Sequence, residues 1–123
     1  IVMMFLHTLR VFFTGSYKKP RELNWMVGVG IFGVMMGLGF TGYLLPWDMK
    51  ALFATKVGIE IAASVPFIGG MIKVLLAGDS TILGAQTLTR FFAIHVFFLP
   101  AVLFGLLAAH FIMIRRQGIS GPL

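Results

Sequence analysis

The sequence predicts an all-α fold, an integral membrane helical bundle. It contains the end of one transmembrane helix and two complete ones, with short interfacial helices between them. Composition is the first reason: 59% of the 123 residues are hydrophobic and 11% charged. Mean hydropathy is +0.97, outside the usual range of soluble domains and far from that of disordered chains. The second reason is that residues 25–47 and 91–114 hold no Asp, Glu, Lys or Arg. Each stretch is long enough to cross a hydrocarbon core of about 30 Å at about 1.5 Å per helical residue. In lipid, backbone polar groups must be satisfied within the segment, which selects helices.

Residues 1–14 read as the end of a spanning helix, apolar up to Arg10 apart from His7 and Thr8. They lack the basic leader and small-residue cleavage site of a signal peptide. Position 1 is not Met, so the expectation is a chain whose N-terminal part is missing. "TGSYKKPREL" follows as a loop, with Gly15 as a stop and Pro20 as a breaker. Residues 24–46 form the next helix, closed by Pro46. Residues 48–88 are apolar runs broken by Lys50, Lys56, Glu60, Pro66 and Lys73. None is long enough to span, and short amphipathic helices lying along the membrane surface are expected. Residues 89–116 are the last spanning helix, and 117–123 a tail.

Charge orients these elements. Arg10, Lys18, Lys19, Arg21, Arg115 and Arg116 face Glu22 alone, a net +5 on one side. Lys50, Lys56, Lys73 and Arg90 against Asp48, Glu60 and Asp79 leave +1 on the other. The more positive side is cytoplasmic by the positive-inside rule. The protein is thus expected to be multi-pass in a cell membrane, with the 14–23 loop and the C-terminus inside. The positive charges lie between apolar runs rather than in a patch with interleaved aromatics, so a nucleic-acid partner is not expected. With no cysteine, there is no disulfide framework, thiolate metal site or CxxCH haem attachment in this stretch.

Three histidines remain. His95 and His110 are fifteen residues apart, about 22 Å of rise and about 60° of net rotation on an ideal helix. They therefore share a face, one near each membrane surface. His7 precedes the polar loop by about two turns, at the depth of His110. Ionisable side chains inside spanning helices are costly and usually functional. Two imidazoles at one depth on different helices suit axial ligation of a haem, which needs no further protein donor; Arg10, one turn after His7, would meet a propionate. Zinc is poorly served by two imidazoles without a carboxylate or thiolate. Other readings stay open: imidazoles hydrogen-bonded to a neighbouring helix, or a proton relay in a channel or transporter half. His95 has no partner in the chain, and a mirrored first helix would place one about 14 residues before His7. Gly28 and Gly42 are 14 residues apart on the intervening helix, so bare backbone could face a macrocycle at each depth. Ordinary packing through "GVMMG", 33–37, is the competing reading. Arg90, five residues before His95, balances anionic charge near that end or serves as a snorkelling anchor.

These residues resemble the cytochrome b/b6 family of quinol–cytochrome c (or plastocyanin) reductases along the whole chain. The resemblance lies in "HTLRVFFTGSYKKPRELNW", "GFTGYLLPWD" and "LTRFFAIHVFFLPAVLFGLLAAHFIMIRRQGISGPL". Ending at "GISGPL" resembles the short, four-helix b6 form, whose remaining helices are on a separate subunit. On that reading residues 1–14, 24–46 and 89–116 are the second, third and fourth helices of one domain, and 48–88 an outer-surface connection. "GYLLPWDMKALFATKVG" is most similar to menaquinol-oxidising complexes of Gram-positive bacteria. Asp48 follows "LPW" as in b6 forms, where mitochondrial relatives tend to have Gly.

The resemblance implies two b-type haems. His7 and His110 would ligate the inner one, His95 the outer one together with a histidine upstream, and Arg10 would contact an inner propionate. Gly28 and Gly42 would face the haems. Arg115 would lie near the inner quinone site, and Tyr43, Pro46 and Trp47, with Gly42, in part of the outer quinol pocket. Interfacial anchoring is the alternative for Tyr43 and Trp47. The Pro-Glu-Trp-Tyr segment that completes that pocket is absent, so no quinol site is complete here and the chain alone is not expected to be active. The implied function is electron transfer from quinol across the membrane, coupled to proton translocation. Implied partners are membrane lipid, a subunit IV-like protein, a Rieske iron–sulfur protein and a cytochrome c-type subunit, in a dimeric complex. The residues leave open an extra covalently attached haem.

The orientation has a direct test. Protease added to intact cells should reach Lys50 or Lys73 before Lys18 or Lys19, and cleavage at Lys18 with the other loop protected would reverse the topology.

Overall fold

The computed structural model describes residues 1–78 and 83–121. Asp79, the rest of 79–82 within the 48–88 connection, and the last two residues of the tail lie outside them. Among the described residues every regular element is helical: α1 Val2–Phe13, α2 Glu22–Leu44, α3 Met49–Ala63, α4 Gly69–Ala77, α5 Ala85–Ala93, a π-helical turn at Ile94–Phe98, and α6 Leu99–Gln117. Two spans are long and apolar enough to cross a membrane, Glu22–Leu44 and the continuous Ala85–Gln117. The second leaves Phe97, Phe104 and Phe111 exposed. A core helix of a soluble protein would bury them, because contiguous apolar surface of that kind marks a lipid or protein contact.

The chain divides into two compact units, one of Ile1–Gly37 and Pro100–Leu123 and the other of Leu38–Leu99. In the first, α1 ends as its sequence predicts. Gly15 takes φ 68°, a left-handed conformation that costs glycine little. Its N–H reaches the Phe12 carbonyl at 3.1 Å and the Ser16 N–H reaches that of Val11 at 3.0 Å, the Schellman pairing that satisfies a helix's last carbonyls. Phe12, Tyr17 and Trp25 then stack in series, with ring centres 5.8 and 5.5 Å apart. The tail is clasped to this loop. Ser16 Oγ donates to Ser120 Oγ at 2.9 Å, and Arg21 Nε to the Gly118 carbonyl at 3.2 Å.

Helix α2 covers 22–44 rather than the expected 24–46. Pro46 is the cause at the far end: the residue before a proline is pushed out of the helical region, and the proline itself has no N–H to donate. At the near end Glu22 suits the positive pole of a helix N-terminus.

In the second unit, Asp48 accepts the Ala51 N–H at 2.8 Å and starts α3, as an N-cap side chain does. Leu44, Ala51, Ile59, Ala77 and Phe91 form its buried core. Gly58 lies against the Phe40 ring, where a Cβ would collide, so α3 can pack this closely only with glycine there. Glu60 and Lys73 join α3 to α4 by an ion pair of 2.7 Å.

The last helix begins at Ala85, not at residue 89. Thr87 explains this. Its hydroxyl accepts the Gly84 N–H at 3.2 Å and donates to the Ala77 carbonyl at 2.8 Å, while the side chain is fully buried. Arg90, one turn on, donates through Nη1 to the carbonyls of Leu75 at 2.8 Å and Val74 at 3.1 Å. Its partners are thus carbonyls of the last turn of α4, that of Val74 shared with the Gly78 N–H, and there a positive charge also meets the negative pole of the helix. This role was not among those expected for Arg90.

An uninterrupted α-helix over 89–116 is also corrected, by the π turn. There the Leu99 N–H bonds to the Ile94 carbonyl, five residues back. Pro100 supplies the reason, since its ring crowds the carbonyl four residues earlier and it offers no N–H; widening the preceding turn relieves that crowding.

Replacing Thr87 by Val leaves the Gly84 N–H and Ala77 carbonyl without their partner. It should cost about 1–3 kcal/mol, read as a lowered thermal midpoint of the detergent-solubilised protein and faster amide exchange across α4.

Candidate functional site

Each unit carries one histidine cluster. In the first, α1, α2 and α6 enclose a cavity of about 370 Å³. His7 and Arg10 from α1, Asn24 and Gly28 from α2, and His110 from α6 line it, with Tyr17 of the loop. Gly28 lies beside the imidazole: a Cβ there would stand 3.5 Å from His110 Cε1, in ordinary contact. His110 Nδ1 and Asn24 Oδ1 are both buried without a hydrogen-bond partner. Each such atom costs about 1–3 kcal/mol in an apolar setting, so the cavity holds polar valences that the chain itself leaves unmet.

Sequence reading brought His7, Arg10, Gly28 and His110 to one depth, and the structure puts all four on this cavity. It also adds residues that the reading passed over. Asn24 follows the loop directly, at the first position of the expected helix. Arg21 lines the cavity from the loop, where it had been counted only as one of the orienting charges. Arg115 is exposed and is not part of the lining.

In the second unit, His95 sits on the π turn, a helical irregularity common at functional sites. Two neighbours on α2 touch it. Thr41 Oγ1 is 3.2 Å from His95 Nδ1. A Cβ at Gly42 would fall 2.7 Å from His95 Cε1 and 3.2 Å from Nδ1, so only glycine leaves room for the ring. Gly33, by contrast, faces nothing within 4 Å in this chain. Tyr43, Pro46 and Trp47 are exposed at the end of α2 and in the turn after it.

The chemistry of the donors narrows what could be held. Among the described residues no three His, Cys, Asp or Glu side chains converge as a metal site. Imidazoles meeting at one cavity from two helices can still serve as the axial pair of a macrocycle that brings its own four donors. The cavity, the glycine beside His110 and its unpartnered Nδ1 fit such a group, and so does the glycine under His95. Arg10 on the cavity wall supplies a cation for its acidic substituents.

A profile described as "Cytochrome b(N-terminal)/b6/petB" matches residues 1–123. The chain is 82% identical over all its 123 residues to the menaquinol:cytochrome c reductase cytochrome b subunit of Geobacillus thermodenitrificans and 81% identical to that of Bacillus subtilis, covering 55% of each. It is 49% identical to cytochrome b6 of Heliobacterium mobile, covering 57% of it. The chain thus spans about half the length of the curated relatives it matches.

The two glycines should respond unequally to a methyl group. In the full-length protein, Gly42→Ala forces the His95 ring aside and should lower bound haem markedly, whereas Gly28→Ala, at contact distance from His110, should lower it less; the haem-to-protein ratio of each variant checks this.

Proposed function

Since the chain belongs to the cytochrome b/b6 family along its whole length, we propose that it forms part of the b-type cytochrome subunit of a quinol–cytochrome c reductase of the b6f kind. In this reading His7 and His110 hold one haem and His95 holds a second, with a histidine outside these 123 residues. The observation that carries it is the meeting of His7 and His110, from separate helices, on one cavity beside a glycine.

Bound there, a haem would be held by imidazole nitrogens of this chain and would supply a one-electron carrier. The chain's own residues bind, orient and shield. His7 and His110 offer ring nitrogens from opposite sides of the cavity's helical frame. Arg10 neutralises propionate charge. Asn24 Oδ1, buried and unpaired, is a hydrogen-bond acceptor for a polar group inside. Phe111 and Leu107 on α6 line the cavity with apolar surface, and an apolar lining of this kind tunes a potential through solvent access and dielectric. Gly42 gives His95 the room to stand against α2.

The reading extends to the whole protein. Quinol, menaquinol in the relatives named for it, gives up electrons at an outer pocket to which Tyr43, Pro46 and Trp47 contribute, and Arg115 lies near an inner quinone site. Electron transfer across the membrane is coupled to proton translocation. The α3–α4 segment rests on the outer surface, and the basic 14–21 loop faces the cytoplasm of a bacterial cell. A subunit IV-like protein, a Rieske protein and a cytochrome c-type subunit complete a dimeric complex, in contact with lipid along the apolar faces of α2 and α6.

A reduced-minus-oxidised spectrum of the full-length protein should show b-type α-bands. His110→Ala should remove one haem and leave the other, still reducible by quinol. His95→Ala should remove the other and stop electron entry. Two haems retained in His110→Ala would refute the ligand assignment.

A further inference from the structure

Thr41 has no part in the assignments above, yet its hydroxyl makes a side-chain hydrogen bond to the His95 imidazole. It lies on α2, 4% exposed, one residue before the glycine that admits the His95 ring. Its hydroxyl oxygen is 3.4 Å from the Leu38 carbonyl, three residues back, and 3.2 Å from His95 Nδ1. A helical threonine gives its proton to a carbonyl of the preceding turn. A carbonyl can only accept, so the single hydroxyl proton is committed there and the oxygen turns a lone pair toward Nδ1. With the hydroxyl proton on the carbonyl, the hydrogen on that contact comes from the imidazole. A neutral imidazole carries one N–H, and placing it on Nδ1 leaves Nε2 bare.

We propose that Thr41 is a positioning residue that holds His95 as the Nδ1–H tautomer, with the Nε2 lone pair presented to haem iron and the ring plane fixed against Gly42. This rests on the reading of His95 as a haem ligand. Outer partners of this kind orient a metal-bound histidine and raise its basicity. A more basic imidazole favours ferric over ferrous iron, so the Thr41 contact lowers the potential of the haem that His95 holds. Gly42 acts with it: a Cβ there would fall 2.7 Å from Cε1, so the missing methyl group leaves the ring its place, and the hydroxyl fixes its rotation about the Cβ–Cγ bond. At His110 the corresponding nitrogen has no partner, so the two sites differ in how their ligand is held.

The test uses the purified complex carrying the full-length chain, with Thr41→Val, Thr41→Ser and His95→Ala made in parallel. Haem-to-protein ratio, redox titration and the low-spin EPR signal are read for each. Val keeps the shape and removes the hydroxyl; Ser keeps the hydroxyl and removes the methyl. Thr41→Val should raise the midpoint potential of the haem missing from His95→Ala and move its EPR signal, or release that haem, while Thr41→Ser stays close to the parent on all three. An unmoved or lowered potential in Thr41→Val with both haems bound overturns the role of Thr41, as does a Ser variant changed as much as Val. Both haems retained in His95→Ala overturns the ligand reading itself, and with it the role assigned to Thr41.

Discussion

An imidazole set among apolar helices must find partners for its ring nitrogens without water, and the local structure around His95 and His110 follows from that demand. Space is made first. Gly28 and Gly42 strip α2 of side chain where the two rings approach. At His95 a threonine answers one nitrogen; at His110 a nitrogen stays unmet beside an equally unmet Asn24 oxygen. Helix α2 tolerates so many glycines because its backbone hydrogen bonds are internal and an apolar surrounding offers them no competitor. The same residues would weaken a helix in water.

The connection between the spanning segments solves a different problem. Two short helices end in it, each with carbonyls that need donors: Ser64 serves those of α3, and α5 serves those of α4 in place of solvent. Thr87 and Arg90, three residues apart and so on one face, both reach back to the end of α4. The element that leads into His95 is therefore anchored by polar contacts at its start, while Phe91 buries itself in the core beside them. Rigidity before the π turn bears on function, because the direction of the His95 ring is inherited from the helix that carries it.

Much of this could be read from residue order. The two apolar spans, the Gly15 stop, the Pro46 break and the gathering of His7, Arg10, Gly28 and His110 follow from length, period and turn chemistry. What escaped has physical reasons as well. Residues 85–88 were expected to belong to the connection rather than to the last helix, because threonine and glutamine break an apolar run, whereas Thr87 is fully buried and bonded on both sides. The π turn carries no composition of its own; only Pro100 hinted at it. Asp48 as an N-cap was visible in "WDMKA", and was read for resemblance instead. The Thr41–His95 contact joins residues 54 apart in sequence, and no local pattern reports a pairing at that range.

The clasp between loop and tail bears on how this protein can be handled. Gly118, Ile119 and Ser120 are cavity wall as well as chain end, and through Gly118 and Ser120 they seat Arg21 and Ser16. A shortened version stopping at Gln117 would keep every helix yet open the His7–His110 chamber to its surroundings. The end of α6 is therefore a poor place to cut if the clasp is to stay closed.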